Sequence, residues 1–168
     1  MAKKIFSNPL ERARWELEHG KLYLAHKILL PLIDRKNPEA MFLYSTFRVS
    51  NIESTDEFER RSFKLLQQAS DLGYPPAIYA LGICYDTGDL VEMDQVTASG
   101  LFKRAAELGY SKARLSYGMI LFYGSYGAEK NEKEGLNYIR QAIAGNVDDA
   151  EEVLDYLTSN AKTPDRND

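Results

Sequence analysis

The sequence predicts an all-α solenoid, a stack of helix pairs, and three series of small residues at one period predict it. Ala40, Ala77, Ala113 and Ala150 are separated by 37, 36 and 37 residues. Gly73, Gly109 and Gly145 keep a step of 36, and Ala69, Ala105 and Ala142 keep steps of 36 and 37. Self-similarity in this range marks a repeat array, in which each unit buries its apolar face against its neighbours. Such an array offers an extended surface and builds in no catalytic pocket, so the period already turns the functional question towards binding.

The expected order starts with a divergent N-terminal helix pair over residues 1–37. Three helix-pair repeats follow over 38–147 (38–74, 75–110 and 111–147), then a C-terminal capping helix over 148–160 and a disordered tail over 161–168. In the leading pair a helix from about Pro9 to His19 turns at Gly20 into KLYLAHKILLPLIDRK, which Pro31 should kink. The first repeat reads PEAMFLYSTFRVS as its first helix and FERRSFKLLQQASDLGY as its second, with the loop VSNIESTDE between them. In the second repeat Pro75 and Pro76 open a helix, because first-turn residues need no amide donor. Ala77, Leu81 and Tyr85 then share one face. Gly88 ends that helix in a left-handed conformation, and Asp94 caps the next. Ala98, Leu101, Phe102, Ala105 and Ala106 form its apolar face, and Gly109 closes it. The periodic alanines mark close helix approach, and so do Gly82 and Gly118. A mid-helix glycine costs about 0.5–1 kcal/mol against alanine, so its presence implies that a methyl group does not fit. The capping helix opens with Asp148, Asp149, Glu151 and Glu152, which suit the positive end of a helix dipole.

With 168 residues, 44% hydrophobic and 27% charged, the chain has room for one core or one continuous array. Its net charge of −4 lacks the basic excess of a nucleic-acid binder. Residues 1–37 hold eight Lys/Arg against four acids, which leaves the remainder acidic; this reads either as ordinary solvated surface or as a body that attracts a basic protein partner. Cys84 is the only cysteine, so no intramolecular disulfide is available. No segment approaches the roughly 18 apolar residues of a membrane span, and MAKKIFSNPLERARWELEHG lacks the apolar run of a signal peptide. These features predict a cytoplasmic protein, where a single reduced thiol is ordinary.

The pattern AxYALGxxYxxGxxVxxDxxxAxxLFxRAAExGY, read from Ala77 to Tyr110, resembles the Sel-one-like repeat (SLR), a relative of the tetratricopeptide repeat. The third unit keeps Ala113, Tyr117, Gly118, Gly124, Ala142 and Gly145, with Leu121, Asn131 and Gly135 as departures. The first unit has Ser45 at the glycine position and Ser62 at the second-helix alanine. The resemblance spans about residues 38–150. It implies a right-handed α/α superhelix that works as an adaptor or scaffold for other proteins. Members of a cysteine-rich secreted branch carry a disulfide in each repeat, which this chain cannot form. The family shares no catalytic residues, so none is carried over.

In repeats of the tetratricopeptide type the first helix of each pair lines a concave groove. With Gly82 as the packing position, the outward side of that helix carries Tyr79, Ile83 and Asp86. The same spacing from Gly118 selects Leu115, Met119 and Phe122, and from Ser45 it selects Phe42, Thr46 and Val49. The leading helix adds Trp15 and His19. One position is thus occupied by Trp15, Phe42, Tyr79 and Leu115, an apolar ladder where a merely solvated surface would be charged. It has the composition of an interface centre. Packing between neighbouring first helices explains it equally.

Residues with chemistry are sparse. His19 and His26 have no cysteine or carboxylate partners at metal-ligand spacing, and Cys84 sits on a helix without a histidine to activate it. GSYG at 124–127 lacks the following lysine of a phosphate loop. No cofactor or metal is expected, and no enzyme activity. The sequence therefore reads as a protein–protein interaction module, with no nucleic-acid or membrane partner and an open oligomeric state. An immunity-type inhibitor that masks a toxin or effector is the alternative, motivated by the short acidic chain. A hydrolase ranks last, because no convergent site supports it.

Overall fold

Five helix starts among the described residues carry side chains that satisfy otherwise orphaned amides. Asn8 accepts from the Glu11 N–H at 2.9 Å, and Asn37 accepts from the Ala40 N–H at 2.9 Å. Ser54 and Glu57 form a reciprocal capping box. Asp94 accepts from the Val96 and Thr97 amides, and Asn131 accepts from the Glu134 amide. A computed structural model describes residues 5–160, and the tail expected over 161–168 lies outside them. Among the described residues there are nine α-helices and no strand.

The helices divide between two compact units that meet at Leu81 and Gly82. The first contains α1 (Pro9–Glu18), α2 (Leu22–Asp34), α3 (Pro38–Ser45), α4 (Thr55–Asp71) and the start of α5 (Pro75–Thr87). Here α1 packs on α2, α2 on α3 and α3 on α4. The second contains the rest of α5, α6 (Gln95–Glu107), α7 (Ser111–Tyr123), α8 (Glu132–Ala144) and α9 (Ala150–Asn160), and from α6 onwards each again packs on its successor. The periodic alanines are where the helices are tightest. Ala40, Ala69, Ala77, Ala105, Ala113, Ala142 and Ala150 have no solvent exposure.

Helix α2 contains Pro31 and runs to Asp34. Two local expectations are revised. The α3 helix stops at Ser45, not at residue 50, because the Ser45 and Thr46 hydroxyls turn back onto the Phe42 and Leu43 carbonyls. Arg61 from α4 then captures the carbonyls of Tyr44 and Phe47, which takes the chain out of helix. At the far end α9 begins at Ala150, since Asp149 adopts a left-handed φ of 64°, so only Glu151 and Glu152 fall in its first turn.

The last glycine of the 36-residue series works differently from its counterparts. Gly109 takes the left-handed exit of α6 with φ 91°, whereas Gly145 has φ −90° and the left-handed residue after α8 is Asn146. A methyl group on Gly145 would collide with the Ser111 side chain at the start of α7. Gly145 is small because a neighbour approaches it.

Candidate functional site

The predicted groove residues separate into packed and open groups. In the first unit Trp15 is half-buried, stacked on His19 with ring centroids 3.9 Å apart, with the Lys21 ammonium 4.6 Å from its ring. Phe42 is half-buried against Tyr74 at 5.7 Å. Thr46 caps the end of α3, and Val49 lies beyond that helix and is buried, so the helical register does not reach either. Tyr79 is half-buried on α5. In the second unit Phe122 is a core residue: it packs with Ile139 of α8 and Leu157 of α9, and Leu115 leans on the same cluster. Placing Phe122 on an open face was wrong, because α7 is buried around most of its circumference and simple spacing does not identify its one free strip.

The C-terminal part of that strip is Met119 and Tyr123, 36% and 52% exposed, and the exposed Lys112 lies on the same face near the start of α7. Between the end of α5 and α7 lies a recess of about 270 Å³, lined by Ile83, Asp86, Met119 and Tyr123. Between α7 and α9 lies a second, of about 230 Å³, lined by Met119, Tyr123, Val153 and Tyr156 with Asp149 and Glu152 at its edge. Met119 and Tyr123 belong to both, so the two recesses adjoin along α7. Ile83, Asp86 and Met119 line one recess together, and the two recesses add Tyr123, Tyr126, Tyr156, Asp149 and Glu152, which the sequence did not single out for this face. Tyr123 was legible in principle, since it lies four residues after Met119 on the same helical face.

The α7–α8 turn shapes one wall of the first recess. Tyr126 holds a left-handed φ of 55° and its hydroxyl donates to the Asp86 carboxylate, which raises the phenol's pKa above its usual value. This hydrogen bond holds the Asp86 side chain at the wall of the recess. Asn131 reinforces the turn by donating its backbone N–H to the Leu121 carbonyl at 2.8 Å, just as Asp94 does to Tyr85 in the preceding repeat.

The remaining reactive side chains are engaged in packing. His19 Nδ1 lies 2.7 Å from the Trp15 carbonyl, and His26 Nδ1 lies 2.7 Å from the Tyr44 hydroxyl. Burial is the main cause lowering the His26 pKa, with Arg61 adding to it. Cys84 is 7% exposed, and burial pushes its thiol up, away from the thiolate. No group of three or more His, Cys, Asp or Glu placed to hold a metal occurs among the described residues.

Residues 57–74, 75–110 and 111–147 each match the family model described as Sel1 repeat. Two proteins of Schizosaccharomyces pombe are similar in sequence. Chitin synthase regulatory factor 3 is 25% identical over 129 residues, and chitin synthase regulatory factor 2 is 35% identical over 80 residues. The matches cover 77% and 47% of this chain but only 14% and 15% of the fungal proteins. Among solved structures, a Sel1 repeat protein from Oxalobacter formigenes superposes with a TM-score of 0.76 at 24% identity, over 90% of this chain and 60% of that one. Helicobacter pylori cysteine rich protein B superposes with a TM-score of 0.58 at 18% identity, over 88% of this chain and 98% of that one. These likenesses establish the helical solenoid fold.

Proposed function

The chain belongs to the Sel1 repeat family, and from that premise we propose that it is a non-enzymatic interaction module, an adaptor that holds a segment of another protein against the face formed by the end of α5, α7 and α9. One observation supports this reading above the others: Met119 and Tyr123 stand open to solvent where two recesses adjoin. Helix α7 buries Tyr117, Ile120, Leu121 and Phe122. A helix with so little free surface would ordinarily turn polar side chains to solvent there. Two large apolar ones, bordered by Ile83 and Tyr156, make the centre of a contact surface. Trp15, Phe42, Tyr79 and Leu115 are each half-buried and are secondary to the docking itself.

The names of the two fungal relatives, as regulatory factors, favour a regulatory adaptor over a toxin-masking inhibitor. This chain spans about one seventh of each, so the role is inferred for the shared repeats alone. A cytoplasmic setting belongs to the same reading. The lone Cys84 is buried, and no helix among the described residues is long and apolar enough to cross a membrane.

The test is site-specific photo-crosslinking in native extract, with the crosslinking residue at position 119 and, as control, at the exposed Lys103 of α6. A discrete partner band is expected at 119, absent at 103, and lost when Tyr123→Asp is added. Equal bands at both positions, or none at 119, would remove the docking reading.

A further inference from the structure

We propose that the occupant of this face is a cationic segment, with an apolar side chain seated between Met119 and Tyr123 and Lys or Arg residues on either side of it. The proposal rests on the docking reading above and adds the chemistry of the partner.

Three observations carry it. The residues that line the two recesses include three carboxylates, Asp86, Asp149 and Glu152, and no Lys or Arg. Among the described residues none of the three pairs with a basic side chain. Asp86, hydrogen-bonded by Tyr126, stands at one flank, and Asp149 and Glu152 stand at the other. A rim of one sign around an apolar floor attracts the opposite sign and rejects its own.

The second observation is aromatic. Tyr123 and Tyr156 expose 52% and 62% of their surface beside those acids. Open phenol rings next to carboxylates suit a guanidinium or ammonium, which gains from the ring face as well as from the charge. The third is the charge of the whole segment. Residues 82–168 carry fifteen acids against nine bases, whereas residues 1–81 carry ten against twelve. The long-range field therefore favours the same partner as the local contacts. The acids at the start of α9 also suit the helix dipole, but that role places no requirement on Asp86 and none on the tyrosines.

The experiment uses the full chain and three short fluorescent peptides that share a central Leu-Leu pair, flanked by Arg, Gln or Glu. The Arg-flanked peptide is expected to bind about tenfold or more tighter than the Glu-flanked one. The double variant Asp149→Asn/Glu152→Gln, with unchanged circular dichroism, should weaken it about threefold to tenfold. Raising salt should weaken it further. If the three peptides bind alike and Tyr123→Ser weakens all of them, the cationic class is overturned while the docking face stands. If the Arg-flanked peptide binds wild type and Tyr123→Ser equally, both readings fall. Absence of binding by all three overturns the cationic segment.

Discussion

In the α3–α4 hairpin the two residues at the helix crossing are Ser45 and Ser62; at the same positions of the α7–α8 hairpin they are Gly118 and Gly135. The serines are joined by a hydrogen bond, the Ser62 hydroxyl donating to the Ser45 carbonyl at 2.7 Å. The glycines leave main chain against main chain. A methyl group on Gly135 would stand 2.6 Å from the Gly118 carbonyl oxygen, and one on Gly118 would stand 2.8 Å from that of Gly135. A directional polar contact thus holds one crossing, and removal of side chains permits the other. The consequence reaches the surface. Helix α3 ends after 8 residues and its Thr46 and Val49 fall at or beyond its end, whereas α7 runs for 13 and keeps Met119 and Tyr123 on a regular helix. Helices α5 and α7 both run for 13 residues and leave Ile83 and Met119 exposed, whereas Phe122 of α7 is taken into the core.

The polar hairpin depends on Arg61 more than on either serine. Its guanidinium binds both oxygens of Glu53, caps two carbonyls of the broken helix and lies 3.7 Å over the Tyr44 ring. The Glu53 side chain is 9% exposed. Arg61→Ala strands that carboxylate and should cost about 2–4 kcal/mol, the largest effect in this comparison. Thermal unfolding should register it as a loss of roughly 6–12 °C. The hydrogen bonds from Arg61 hold the Glu53 pKa below its ordinary 4.5. A depressed carboxyl stabilises the fold above its unfolded pKa, and that stability is lost as pH falls through the folded value. Wild type should therefore lose stability below about pH 4.5, and Arg61→Ala should show a shallower acid arm. An equally steep arm in the variant would show that the pair contributes nothing.

The glycine hairpin predicts a sterically driven loss. Gly135→Ala brings a methyl group onto the Gly118 oxygen and, at 2.8 Å, onto the Phe122 backbone nitrogen. Neither can rotate away, so the helices must separate. We expect a net loss of about 2 kcal/mol, even after the gain in helix propensity of roughly 0.5–1 kcal/mol. Gly82→Ala is the informative contrast. Its nearest obstacle is the Phe102 ring, at 2.8 Å, and a side chain can shift where backbone cannot. If Gly135→Ala is as mild as Gly82→Ala in chemical denaturation, the crossing is not limited by its main chain.

The repeat made much of this legible. Spaced alanines located helix contacts because a contact that excludes side chains leaves a compositional trace at every turn of the array. Asp94 located the start of α6 because the amides it satisfies are adjacent in sequence. What stayed hidden depends on partners distant in the chain. Nothing near Ser45 announces that Arg61, 16 residues later, will end α3. Phe122 and Tyr123 are neighbouring aromatic residues, and the positions of α8 and α9 decide that one is core and the other open. Glu16 is likewise 4% exposed between Arg12 and Lys21, a burial that an acid on an apparent surface helix gives no reason to expect.

The smallest predicted effect isolates the hydrogen bond itself. Ser62→Ala removes the donor to the Ser45 carbonyl and keeps the methylene that fills the crossing. The second repeat shows that alanine fits there, since Ala98 occupies the corresponding position with no exposure. No steric penalty is therefore expected. The loss should be the net value of one buried hydrogen bond, about 1 kcal/mol, because the carbonyl is left buried without its donor. Denaturant unfolding reads it as a lower midpoint at unchanged slope. A loss near zero would mean that the carbonyl finds water or rejoins the α3 ladder, making Ser62 a relic of the alanine pattern. A loss as large as that of Gly135→Ala would mean that both crossings are governed by packing and that the hydroxyl acts through its volume. The intermediate result identifies the first repeat as a crossing held by one directional bond, and it explains why Ser is tolerated where the family pattern calls for alanine.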